Sequence, residues 1–252
     1  MVAALAASLA RAGCVAAAEE AVELAAVAGG DRALLMSLAE RRRSGEPIAW
    51  ITGRTQFGDL TVRVDPGVYV PRWQSLPLVR RAAARLPERG SAIDLCTGSG
   101  AIAAALRAER PEARIVATDS DARAVSCARA NGVEAYPGDL FSGVPPTLRG
   151  RTDVVVAVVP YVPTPELRVL PRDTLHFEDT SHYDGGPDGT DVLQRVVTAA
   201  PRFLRSGGAL LLELGGEQAD VLQPVLEGAG YRSARTWSDA DGDIRGLEAI
   251  LG

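Results

Sequence analysis

The stretch "DLCTGSGAIAAAL", residues 94–106, constrains the fold more than any other part of the chain. An apolar run enters it, Gly98 and Gly100 occupy a tight turn, and an Ala-rich helical pattern leaves it. Strand, glycine turn and helix in that order open a unit in which a second strand must return parallel to the first. Small side chains let a ligand approach the backbone at such a turn, and the helix N-terminus presents unpaired N–H groups. Taken alone, the turn suits a dinucleotide site, a methyl-donor site or a plain tight turn.

The same rhythm continues downstream. "ARIVATD" repeats the strand and "DARAVSCARAN" the helix, while "VEAYPGD", "TDVVVAVVP" and "GGALLLELG" are three more candidate strands. Strands alternating with helices predict an α/β fold with a mostly parallel sheet covered on both faces. The end of the chain, "YRSARTWSDADGDIRGLEAIL", holds two strand-like runs joined by "DADGD" and is expected to close the sheet as an antiparallel pair. Upstream, residues 3–28 predict helix broken near Gly13. Asp31 caps a second helix that runs to "RRRSG", with Gly45 as the stop. Thr61–Val64, the turn Asp65-Pro66-Gly67 and Val68–Val70 read as a hairpin, and residues 74–86 as a helix.

Composition narrows the function classes. A chain of 252 residues, 46% hydrophobic, supports one large domain or a core domain with a small extra one. A net charge of −5 provides no broad basic field, which argues against direct nucleic-acid binding. All 27 basic residues are Arg, so a Lys nucleophile or Schiff base is excluded. Three cysteines without a Cys-x-x-Cys pair, and only two histidines, predict no metal site and fit a reduced, cytoplasmic setting. The N-terminus "MVAALAASLARAGC" lacks a basic n-region, and Arg11 interrupts its apolar run, so it reads as an amphipathic helix rather than a signal peptide. No apolar run reaches the roughly 18 residues that would predict a membrane span.

Two acidic residues narrow the ligand. Asp119 ends the strand after the glycine turn, where a carboxylate accepts hydrogen bonds from ribose hydroxyls. Asp139, in "YPGDLF", follows the third strand, where a carboxylate can receive an adenine amino group. Ala103 stands where a dinucleotide turn carries its third glycine, so S-adenosylmethionine fits better than NAD. The candidate cofactor-binding residues are Asp94, Cys96, Thr97, Gly98, Gly100, Asp119, Ser120, Asp139 and Leu140.

At this point the chain resembles the HemK/PrmC-type protein glutamine methyltransferases, which methylate the Gly-Gly-Gln glutamine of peptide-chain release factors. "RRRSGEPIAWITGRTQF", "VDPGVYVPR", "DLCTGSGAIA" and "YDGGPDGTDVLQRVV" carry the resemblance, which spans nearly the whole chain. "RAGCV", "DLC" and "PYVPT" are most similar to an actinobacterial PrmC-related branch. The resemblance implies a class I S-adenosylmethionine-dependent methyltransferase, Rossmann-like, with a seven-stranded mostly parallel sheet. It implies a helical substrate-recognition domain over residues 1–55, a β-hairpin linker over 56–72 and the methyltransferase domain over 73–252.

The resemblance also implies an Asn-x-Pro-Tyr acceptor loop, and here the chain departs. Val158, Val159, Pro160 and Tyr161 occupy that loop, with Val158 in the Asn position. "PRWQS" replaces the family's Pro-Arg-Pro-Glu-Thr, so Pro71 and Arg72 are kept and Trp73, Gln74 and Ser75 are changed. An amide nitrogen is a poor nucleophile because its lone pair is delocalised. An Asn oxygen and a backbone carbonyl that hold its N–H bonds would stabilise the charge that develops. Val158 has no acceptor atom, which leaves the Val159 carbonyl. The catalytic candidates are therefore Val158, Val159, Pro160, Tyr161 and His182, and the substrate candidates Pro71, Arg72, Trp73 and Tyr161.

Tyr161 is expected to pack on a flat acceptor. In "HFEDTSHYD", His182 and His176 are candidate bases for a hydroxyl acceptor. Three readings follow. In the first, the acceptor has diverged to a small molecule or peptide of specialised metabolism. In the second, it is a release factor glutamine. In the third, the chain is an inactive donor-binding scaffold.

Overall fold

The computed structural model describes residues 1–170 and 176–252. The N-terminal part is helical: α1 (Val2–Arg11), α2 (Ala17–Ala28), α3 (Arg32–Arg43) and α4 (Ile48–Thr52). The Asp31 side chain caps α3, accepting from the N–H groups of Ala33 and Leu34. Leu9, Ala21, Leu24, Leu35, Leu38 and Ile51 give these helices a core of their own. Arg42 and Glu20 form a buried ion pair at 2.9 Å within it.

The hairpin lies one strand earlier than the sequence suggested. β1 (Arg54–Phe57) pairs antiparallel with β2 (Leu60–Arg63). Asp65-Pro66-Gly67 does turn the chain, the Val68 N–H reaching the Asp65 carbonyl at 3.1 Å, but residues 68–70 form no strand. Val64, Val68 and Val70 instead pack with Trp50, Ala124 and Cys127. The Trp50 indole donates to the Val68 carbonyl at 2.9 Å, so this segment is fixed by burial rather than by pairing.

The remaining elements are α5 (Leu76–Arg85), β3 (Ser91–Leu95), α6 (Ala101–Glu109), β4 (Arg114–Asp119), α7 (Ala122–Ala130), β5 (Glu134–Pro137), β6 (Thr152–Ala157), α8 (Asp191–Ala199), β7 (Leu204–Glu213), α9 (Gln218–Gly228), β8 (Tyr231–Ser238) and β9 (Ile244–Leu251). Seven strands form one sheet in the order β5-β4-β3-β6-β7-β9-β8. The first five run parallel, and β9 pairs antiparallel with both β7 and β8. Val154, Val155 and Val156 are fully buried, as an interior parallel strand requires.

Each face of the sheet is covered. α5 and α6 contribute Leu78, Val79, Ala82 and Leu106 to one core. α8 and α9 contribute Leu193, Val196, Leu222 and Leu226 to the other, beside the stacked rings of Phe141 and Phe203. From β3 the chain first builds outward to β4 and β5, then returns to add β6 and β7 on the other side. That reversal opens a crevice beyond the C-terminal ends of β3 and β6, the place where such sheets bind ligands.

Candidate active site

A cleft of about 1480 Å³ occupies that crevice. The turn after β3 forms one wall. Cys96 and Gly98 have φ of 54° and 55°, and Gly100 has φ of 80°. A Cβ on Gly100 would stand 2.9 Å from that of Ala128, so only glycine admits this packing. Beneath the turn, Asp94 is 1% exposed. Its Oδ2 accepts from the Thr97 hydroxyl at 2.6 Å and from the Ala103 N–H, in the first turn of α6, at 3.2 Å. Burial pushes the Asp94 carboxyl up to about 7. Asp94, Thr97 and Gly100 thus shape the turn from below, whereas Cys96 and Gly98 face the cleft.

Asp119 and Ser120 also line the cleft. Asp119 accepts from the Gly98 N–H and the Asp121 N–H, each at 2.9 Å, and its oxygens keep further lone pairs able to accept hydrogen bonds. Burial raises its carboxyl pKa, and these backbone bonds oppose the rise. Burial, helped by Asp119, pushes the Cys96 thiol far up, so it stays protonated. Asp139 departs from expectation: it is exposed, lies off the cleft wall and is ion-paired with Arg195 of α8. Leu140, expected beside it, is buried with φ of 49°, and its carbonyl accepts from the Thr118 hydroxyl at 2.7 Å.

The acceptor-loop candidates Val158, Val159, Pro160 and Tyr161 follow β6 and line the same cleft. The Gln218 amide, from α9, donates to the Tyr161 carbonyl at 2.6 Å and to the Gly189 carbonyl at 3.2 Å. Gly189, φ 78°, packs its backbone directly on Tyr161, which accounts for glycine in "DGGPDGTD". Residues 183–185 close on the loop: the Val162 N–H reaches the Tyr183 carbonyl at 2.8 Å, and the Gly185 N–H the Val162 carbonyl at 2.9 Å. The Tyr161 hydroxyl donates to Glu213 at 3.1 Å. Burial and Glu213 push the Tyr161 phenol far up, so it serves as a donor and not as a base.

Of the substrate candidates, Arg72 lines the cleft, as does the neighbouring Gln74. Trp73 turns outward, 71% exposed, because the single helical turn Trp73–Ser75 points Ser75 inward instead. Pro71 is half-buried and is not part of the cleft lining. His176 and His182 both line the cleft. His182 stands edge-on to Tyr69, 6.4 Å between ring centres, and its Nδ1 is buried without a hydrogen-bond partner among the described residues.

Ala12–Val15 and Arg42–Gly45, from the helical N-terminus, form part of the wall. Two residues escaped sequence reasoning. Tyr69 lines the cleft, its phenol pushed up to about 12 by burial. Glu213, a carboxylate ending the apolar run "ALLLE", is 6% exposed and also on the wall. An acidic residue closing a buried strand was its only signal.

The geometry fits a class I methyltransferase, and the residues present suit its donor. Space is open at Gly98, where a Cβ would meet nothing nearer than Tyr69 at 3.7 Å. Among the described residues no group of side chains could hold a metal ion. The "Methyltransferase small domain" family model matches residues 61–155. The release factor glutamine methyltransferase of Geobacter sulfurreducens is 33% identical over 221 residues, 85% of this chain and 77% of that one. That of Moorella thermoacetica is 36% identical over 218 residues, covering 82% and 75%.

Among solved structures, the ribosomal protein L11 methylase of Lactobacillus delbrueckii subsp. bulgaricus shares the fold. It has a TM-score of 0.52 and 15% identity, over 76% of this chain and 84% of that one. The 16S rRNA N2 G1207 methyltransferase of T. thermophilus, solved in complex with AdoMet and guanosine, has a TM-score of 0.50 and 17% identity, over 79% and 44%. The chain belongs to the HemK/PrmC-type release factor glutamine methyltransferase family, and its methyl donor is S-adenosylmethionine. No helix among the described residues is long and apolar enough to cross a membrane.

Proposed function

We propose that the chain methylates a side-chain amide of a protein acceptor, with release factor glutamine as the acceptor its relatives point to. S-adenosylmethionine, when bound, supplies the methyl group. Cys96, Gly98, Asp119 and Ser120 hold it on the β3 side. Tyr161 and the Val159 carbonyl orient the acceptor on the β6 side, and Arg72 with Gln74 borders its approach.

The observation that carries this reading is the shared cleft. The donor turn and the Val158–Tyr161 loop end adjacent strands, and segments of the helical N-terminus, Ala12–Val15 and Arg42–Gly45, wall the same space. We read residues 1–55 as the unit that selects the acceptor. The test is methyl transfer to an intact Gly-Gly-Gln release factor, with the modified residue located by mass spectrometry.

Val158 favours a second reading. An apolar side chain in the acceptor loop suits a small-molecule or peptide acceptor that presents no amide. Transfer to such a compound, with none to release factor, supports it. Donor binding without turnover on any acceptor supports a scaffold.

A further inference from the structure

Glu213 is the last residue of β7. The Tyr161 hydroxyl occupies its Oε1, while its Oε2 is buried and, among the described residues, without a hydrogen-bond partner. β6 and β7 run parallel with Ala157 opposite Leu212. The next step of that register sets Glu213 beside Val158, on strands about 4.8 Å apart. Side chains alternate along both strands: Val156 and Leu211 enter one core, Ala157 and Leu212 the other. Val158 packs against the first core, so Glu213, two residues after Leu211, points to the same face. Both line the cleft beside Tyr161.

We propose that Glu213 supplies, from the neighbouring strand, the hydrogen-bond acceptor that position 158 lacks: its free oxygen holds an N–H of the methyl acceptor and takes that proton. This inference rests on the amide reading above. The acceptor nitrogen gains its bond to the methyl carbon as the S–CH3 bond of the donor breaks, leaving S-adenosylhomocysteine as the neutral thioether, and the nitrogen must lose one proton to end neutral. The Glu213 carboxylate receives that proton and returns it to water after the product leaves. A carboxylate accepts more strongly than the amide oxygen of Asn, and a water-poor cleft strengthens the bond further. The polar groups facing Glu213 are the Tyr161 and Ser75 hydroxyls, Arg245 of β9 and Tyr69. Burial raises its pKa, whereas Ser75, Tyr161 and Arg245 favour the charged form that the role needs.

The experiment uses the full chain and an intact release factor. Glu213→Gln, Glu213→Ala and Glu213→Ala with Val158→Asn are each first checked for unchanged binding of S-adenosylhomocysteine, which reports an intact fold. Glu213→Ala should slow methyl transfer by about 10²–10³-fold, as for loss of one preorganised hydrogen-bonding group. It should also weaken calorimetric binding of a Gly-Gly-Gln peptide in the presence of S-adenosylhomocysteine. Glu213→Gln, which keeps an acceptor oxygen but takes no proton, should lose the fall in rate at acid pH. Adding Val158→Asn to Glu213→Ala should restore part of the rate. Unchanged rates and pH profiles in the Glu213 variants would overturn the role of Glu213 alone. No transfer by the unaltered protein would overturn the amide reading, and this inference with it.

Discussion

The Arg72 guanidinium donates to Glu178 Oε1 at 2.6 Å, and the Glu178 side chain is 2% exposed. The Tyr183 hydroxyl donates to the other Glu178 oxygen at 2.8 Å and accepts from Arg72 at 3.0 Å. Arg72 also lies over the Tyr69 ring, 5.4 Å from its centre. This cluster ties the segment that leads into α5 to the segment that closes on Val162. It therefore fixes one side of the cleft.

Arg72→Ala leaves the buried Glu178 carboxylate with the Tyr183 hydroxyl as its hydrogen-bond partner among the described residues. Stability should fall by about 1–3 kcal/mol, the cost of an uncompensated buried polar group. Urea unfolding measures it, and an unchanged midpoint would show that the cluster holds nothing together.

Asp119→Ala should weaken S-adenosylhomocysteine binding by about 1.5–3 kcal/mol, as for a charged hydrogen bond. Part of the loss comes from the Gly98 N–H, which Asp119 holds at 2.9 Å. Asp119→Asn, which keeps one acceptor oxygen, should lose less. Calorimetry showing equal affinity in all three forms would remove Asp119 from the donor site.

Asp94 makes stability pH-dependent. Its folded-state pKa is raised by burial to about 7, above the ordinary carboxyl value of 3.8. The folded state therefore holds the proton more tightly than the unfolded state. Stability from this group is complete below the unfolded value and is lost as pH rises towards the folded one. Asp94→Asn removes that dependence. Its stability relative to the unaltered, ligand-free protein should climb from about pH 4 to about pH 7 and then level off. A difference that stays constant across that range would contradict the burial effect.

Val15 is fully exposed, yet it lines the cleft with Gly13 and Arg43. Val15→Glu should leave donor affinity unchanged and raise KM for a protein acceptor by about tenfold, equivalent to about 1.4 kcal/mol of contact. Equal KM values would place the acceptor away from the helical N-terminus.

Much of this was legible in the sequence. The glycine turn and the run of apolar strands announced a parallel sheet, because an interior strand such as Val154–Val156 must be apolar on both faces. The hairpin was misplaced. Thr61–Val64 alternates visibly, but its partner "RTQF" does not, since only Phe57 of that strand is buried. Asp139 matched a position in a pattern, yet Arg195, distant in sequence, pairs with it. Glu213 meets the acceptor loop only through the register of β6 and β7, which no local motif encodes.

The most direct measurement is methyl transfer by the unaltered chain from S-adenosylmethionine to an intact release factor, read by mass spectrometry of the Gly-Gly-Gln peptide. The expected result is one added methyl group on the glutamine side chain, formed catalytically and absent without the donor. An unmodified glutamine, from a protein that binds S-adenosylhomocysteine normally, would contradict it.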